Sequence, residues 1–143
     1  MERKALKKVF IDTLFAVALI SPRDQYHNQA IELSDRFDGQ PMLVTDAVLL
    51  EIGNALSRSY KSEASEAIEY FLASSEIEVV HLTPELFEKG FALYGAYKDK
   101  TWGLVDCISF AVMREADVTA ALTFDRHFEQ AGFQVLMRED VSK

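Results

Sequence analysis

Two short apolar runs in this sequence end on an aspartate. Val9-Phe-Ile leads into Asp12, and Thr119–Phe124 leads into Asp125. A third acid, Glu51, lies in the amphipathic stretch Ala47–Tyr60, and a fourth, Asp106, interrupts a segment that is apolar nearly all round, Leu104–Met113. An ionised carboxylate in such a segment is strongly unfavourable unless it is paired or bound to a cation. No Lys or Arg stands three or four residues from Asp106 to supply the pairing. Several carboxylates meeting at one point would repel one another and resist ionisation, unless a hard divalent cation neutralised them. Oxygen-only ligands favour Mg²⁺ or Mn²⁺, whereas zinc would call for His or Cys. His27, His81 and His127 have no zinc-site spacing; His81 falls in a strand, and His127 is expected to pack or cap. Plainer readings exist for the other acids: Asp12 and Asp125 as helix caps, and Glu51 as part of a solvated stripe with Asn54, Arg58 and Lys61.

The elements that must carry these acids alternate. Strands are expected at Val9–Ile11, Met42–Thr45, Ile77–Leu82, Thr119–Phe124 and Phe133–Leu136. Helices are expected over Thr13–Ile20, Asp24–Phe37, Asp46 (as N-cap) to about Tyr60, Ser62–Ser74, from Pro84 with Thr83 as cap, Gly103–Ala116 and Arg126–Gln130. Alternation of this kind predicts a three-layer α/β/α sandwich with a mostly parallel central sheet. In open α/β sheets, sites form beyond the carboxyl ends of the strands, which is where Asp12 and Asp125 fall.

At 143 residues the chain reads as one domain, 1–143, with no repeat, linker or low-complexity segment. Its 49% hydrophobic content, with 3 Pro and 6 Gly, describes a packed globule. A lone cysteine, Cys107, excludes an internal disulfide and a cysteine metal site and points to a reducing, cytoplasmic setting. The basic start Met1–Lys8 followed by apolar Leu14–Ile20 imitates a leader peptide, but Asp12 interrupts it. No run approaches the ~20 apolar residues that span a bilayer. The formal charge of −8 argues at first against a nucleic-acid partner.

The residues nonetheless resemble the PIN domain, and within it the VapC-type ribonuclease toxins of bacterial toxin–antitoxin systems. The resemblance is carried by Phe10-Ile-Asp12-Thr13, Glu51-Ile-Gly-Asn54, Trp102-Gly-Leu-Val-Asp106-Cys-Ile-Ser109-Phe and Thr123-Phe-Asp125-Arg-His-Phe128, then Ala131-Gly-Phe133. It implies that Asp12, Glu51, Asp106 and Asp125 hold one or two Mg²⁺ or Mn²⁺ ions and cleave single-stranded RNA segments. Asp12 and Asp106 are the expected direct ligands. Asp125 completes the site directly or through water, and Glu51 ligates or acts as base. Thr13 and Asn54 are expected to hydrogen-bond to these acids. The sequence departs from many relatives at Gly103 and Val105, where they carry Ser or Thr. A small antitoxin covering the site and a homodimer are further implications, with the Tyr60–Ser75 region as a candidate surface.

For the phosphates, Arg58, Lys61 and Arg126, with Arg23, Lys98 and Lys100, are expected to form a basic rim around the acids despite the negative total. Two other readings fit parts of the pattern. A phosphoaspartyl enzyme or receiver domain also clusters acids at strand ends, but a dehalogenase-type motif needs an acid where Leu14 stands, and no acid pair of the receiver kind precedes a strand-end Asp. A non-catalytic PIN-like module binding RNA or protein would keep the fold with a silent site.

Overall fold

The computed structural model describes residues 7–137; most of the basic N-terminal run lies outside them. Five strands form one sheet: β1 (Val9–Ile11), β2 (Met42–Thr45), β3 (Ile77–Val80), β4 (Ala120–Leu122) and β5 (Gln134–Val135). Their spatial order is β3-β2-β1-β4-β5, and every pairing is parallel. Seven helices connect them among the described residues: α1 (Thr13–Ile20), α2 (His27–Arg36), α3 (Asp46–Leu56), α4 (Lys61–Ala73), α5 (Pro84–Ala96), α6 (Leu104–Ala116) and α7 (Arg126–Gln130).

The order fixes the layers. From β1 the chain moves outward through β2 to β3, then crosses back to lay β4 on the other side of β1. Right-handed crossovers in opposite directions put their helices on opposite faces. The packing agrees: α1 meets α2, α3 and α4, while α5 meets α6 and α6 meets α7. The central strand β1 is buried throughout, and Phe10, Leu43, Phe110, Phe128 and Leu122 are fully enclosed. Phe110 and Phe128 meet edge to face at 5.0 Å, which clamps α6 to α7.

Local chemistry sets the helix starts. Thr45 Oγ1 accepts the Val48 N–H, so Thr45 is the cap of α3 and Asp46, expected in that role, is its first residue. The Asp46 carboxylate instead accepts the Leu82 N–H and faces His81 Nδ1 at 3.1 Å. Thr83 caps α5 with Pro84 in the first turn, as the sequence indicates. Asp24 binds the Tyr26 N–H in a turn, so α2 begins at His27, not Asp24. The third helix ends at Leu56, four residues short of expectation. Ala55 is consequently exposed, and Arg58 and Lys61 do not continue a stripe with Glu51 and Asn54: Arg58 sits in the turn, and Lys61 opens α4. On α4, Ala64 and Phe71 are buried, whereas Leu72 is 56% exposed. The strands β3, β4 and β5 are shorter than expected, at Ile77–Val80, Ala120–Leu122 and Gln134–Val135.

Candidate active site

The strand order reverses between β1 and β4, and the residues that follow them are Asp12 and, after Thr123-Phe124, Asp125. One open depression of about 520 Å³ at this edge is lined by Asp12, Thr13, Leu14, Glu51, Asn54, Ala55, Asp106 and Asp125. All four acids singled out in the sequence therefore share one cleft, in the crevice where open α/β sheets bind ligands.

Asp12 occupies the cap position of α1 but makes no side-chain cap bond. Its carboxylate is 4% exposed, and Thr123 Oγ1 donates to its Oδ2 at 2.8 Å. Thr123 is itself fully buried and accepts the Asp125 N–H at 3.0 Å. One hydroxyl thus joins the first acid to the fourth, across 111 residues of sequence. Burial pushes the Asp12 carboxyl up to about 7; the Thr123 and Thr13 donors oppose this, and the Asp106 and Asp125 charges reinforce it.

Asp106 stands in the first turn of α6 with Gly103 at the cap. Its Oδ2 accepts the Gly103 N–H at 3.2 Å, the only half of a capping box that a glycine permits. The same oxygen faces His127 Nδ1 at 2.9 Å. Burial raises the Asp106 carboxyl and Asp125 adds to the rise, while His127 and the Gly103 N–H work against it. The partner that Asp106 requires is thus a histidine 21 residues away, and His127 faces a carboxylate with its ring instead of merely packing or capping.

Asp125 does cap α7, accepting the His127 N–H on Oδ1 at 2.9 Å, so the plainer reading holds for it alongside its place in the cleft. Donor atoms of Asp106, Asp125 and His127 lie within 4.8 Å of one another. Glu51 is tied by Thr13, whose hydroxyl donates to Oε1 at 2.6 Å. Asn54 lines the same cleft and is exposed. Of the basic residues, Arg58, Lys61 and Arg126 are exposed; Arg126 directly follows Asp125, and Arg58 lies one turn beyond Ala55 of the cleft.

The hydrogen bonds of Asp106, Asp125 and Glu51 fall on one oxygen each, Oδ2, Oδ1 and Oε1. Among the described residues the second oxygen of each takes no hydrogen bond, which leaves it open to a cation. Asp12 and Asp106, whose carboxyls desolvation and neighbouring acids push up, stand with Glu51 and Asp125 in one oxygen donor set that a hard divalent ion satisfies. The set fits Mg²⁺ or Mn²⁺ on this chemistry.

Sequence reasoning missed three side chains here: Thr123, His127 as a partner of Asp106, and Thr101, whose Oγ1 lies 3.1 Å from His127 Nε2. The pattern Thr-x-Asp at a strand end was visible, but nothing local shows which distant acid the threonine reaches.

Comparisons with known proteins identify the family and the fold. The sequence profile of the PIN domain matches residues 9–134. The chain is 32% identical over 127 residues to the 23S rRNA-specific endonuclease VapC20 of Mycobacterium tuberculosis, in strains CDC 1551 / Oshkosh and ATCC 25618 / H37Rv, covering 87% of this chain and 95% of the relative. The crystal structure of M. tuberculosis VapC20, described as a sarcin–ricin loop cleaving toxin, superposes with a TM-score of 0.80 at 29% identity, over 88% of this chain and 96% of that one. The DNA-bound VapBC structure from Salmonella typhimurium shares the fold at a TM-score of 0.59 and 16% identity, over 91% and 97% of the two chains. A receiver would instead carry the strand order 2-1-3-4-5. With the profile covering nearly all of the described residues and the VapC20 likeness running through sequence and fold alike, the chain belongs to the PIN domain family, in its VapC-type branch.

Proposed function

We propose that this protein is a metal-dependent endoribonuclease, the toxin of a toxin–antitoxin pair. The observation that carries the reading is the meeting of Asp12, Glu51, Asp106 and Asp125 in one cleft at the sheet's switch point. The activity of VapC20, a 23S rRNA-specific endonuclease similar to this chain along most of its length, supports it.

Asp12, Asp106 and Asp125 would hold the Mg²⁺ or Mn²⁺, with Glu51 as a further ligand or as the base. Such an ion, when bound, activates water and offsets charge on a phosphodiester. The chain's own work is positional. Thr123 holds Asp12, Thr13 holds Glu51, and the Gly103 N–H with His127 holds Asp106. Glu51 stands across the cleft on α3, where a carboxylate could accept the proton of an attacking water. Asn54 would contact these groups or the substrate. Arg58, Lys61 and Arg126 would meet phosphates along the rim.

For partners, an antitoxin segment fits the apolar groove of about 390 Å³ between α1, α2 and α4, whose walls include Phe15, Leu19, Ile20, Phe37, Tyr70 and Phe71. On this reading the Tyr60–Ser75 region would contribute to the partner surface through Tyr70 and Phe71. A homodimer fits the exposed aromatic row Phe87, Phe91 and Tyr94 on α5.

The test is direct. Purified protein incubated with 23S rRNA and, separately, transfer RNA should cleave one of them in Mn²⁺ and neither in EDTA. Asp12→Asn should reduce the rate at least about 100-fold. Cleavage that persists in Asp12→Asn would point to a contaminant or another site; binding without cleavage would leave the silent-module reading.

A further inference from the structure

The loop before α6 is tied to α7 twice. Thr101 Oγ1 meets His127 Nε2 at 3.1 Å, and the buried Trp102 donates its indole N–H to Gln130 Oε1 at 2.8 Å. The other ring nitrogen, His127 Nδ1, meets Asp106 Oδ2 at 2.9 Å and lies 3.4 Å from Asp125 Oδ1. These partners orient the ring. A carboxylate oxygen only accepts, so Nδ1 carries a hydrogen toward Asp106, and the Thr101 hydroxyl holds the ring at Nε2. The imidazole is held from behind and points one N–H at Asp106.

We propose that α7 is a brace for the cation site, in which His127, oriented by Thr101, fixes the Asp106 carboxylate by its Oδ2 and so presents Oδ1 to the ion. His127 is a positioning residue in this arrangement, and the proposal rests on the metal-site reading above. The brace also links the third acid to the fourth, since the backbone N–H of the same histidine is the one that Asp125 caps. A single residue thereby sets both carboxylates, one through its ring and one through its main chain. Groups that orient metal ligands in this way typically alter metal affinity about 10–100-fold when removed.

The experiment compares Mn²⁺ binding by the full chain and by His127→Ala, His127→Asn and His127→Gln, with free Mn²⁺ read by electron paramagnetic resonance. Asparagine can place an N–H where Nδ1 stands; glutamine extends its amide toward the Nε2 position. The expected result is a loss of about 10–100-fold in affinity for the Ala and Gln variants and recovery of most of it in Asn. Both variants replace the ring with an amide, so the Asn–Gln contrast reads where the N–H is placed, and circular dichroism of the two checks that both fold. Equal Mn²⁺ affinity in all four proteins, or Asn no better than Gln, overturns the brace while leaving the nuclease reading intact. A ¹⁴N spin-echo modulation from directly coordinated imidazole in the parent also overturns it, making His127 a ligand. A parent that binds no Mn²⁺ removes the site reading and the brace together.

Discussion

Asp12 combines the deepest burial among the four acids with a carboxyl raised to about 7. Its folded value lies above the ordinary 3.8, so the folded chain holds the proton more tightly than the unfolded one. The resulting stabilisation is complete below about pH 4 and disappears as pH climbs through about 7. In EDTA, the unfolding free energy of the parent relative to Asp12→Asn should therefore fall between about pH 4 and pH 8, with the variant the more stable at the upper end. Urea unfolding at several pH values measures this. Adding Mn²⁺ at about pH 8 should restore the parent and leave the variant unmoved, because the ion stabilises only the form that binds it. A parent and variant that keep a constant difference across that range would show that Asp12 does not titrate near neutrality. The residue scale was also where the sequence spoke most clearly about the acids and least clearly about their partners. Asp106 in an apolar helix announces that something must satisfy it. That His127 does so, and that Thr123 reaches Asp12, depends on contacts 21 and 111 residues apart, which periodicity does not encode.

At the scale of elements, α5 and α6 approach closely over Gly90, where an added Cβ would stand 2.5 Å from Ile108 Cγ1 and 3.1 Å from the Ile108 backbone. Glycine inside a helix ordinarily weakens it relative to alanine by roughly 0.5–1 kcal/mol. Here the sign should reverse. Gly90→Ala is expected to lower the unfolding midpoint, whereas Gly95→Ala, with open space around its Cβ, should raise it. Thermal unfolding of the two variants side by side checks both signs. Because Ile108 lies two residues past Asp106, displacement of α6 in Gly90→Ala should also reduce Mn²⁺ affinity, and Gly95→Ala should not. The order and kind of the elements were largely legible, since α1, α7, β1 and β2 fall where apolar spacing put them. The end of α3 was not. The pattern from Ala47 to Tyr60 stays helical in period with no Gly or Pro between Gly53 and Tyr60 to stop it, and the chain turns at Ser57 all the same. Likewise a Thr and an Asp stood together at 45 and 46, and only the fold reveals that the threonine caps while the aspartate reaches across to β3's exit.

For the whole molecule, a charge of −8 and a polyanionic substrate are reconciled only if the sign of the field is local. A cation among the acids and exposed Arg58, Lys61 and Arg126 nearby would invert it over the cleft. Arg58→Ala with Lys61→Ala should weaken RNA binding and reduce the slope of log affinity against log salt by about 0.7 per lost phosphate contact. Fluorescence anisotropy across a salt series reads both. An unchanged slope would remove these two residues from the substrate path. The sequence suggested one continuous stripe, whereas Arg58 sits in the turn after α3 and Lys61 opens α4.

The hydroxyl of Thr123, which ties Asp12 to the Asp125 backbone, also has a temporal meaning. A nascent polypeptide that has emerged only as far as α6 has made three of the acids but lacks β4, and so has neither the central strand's second neighbour nor the knot that gathers the cluster. A ribonuclease of the kind proposed above would therefore gain its complete acid cluster only after β4 and α7 have both been made and have folded.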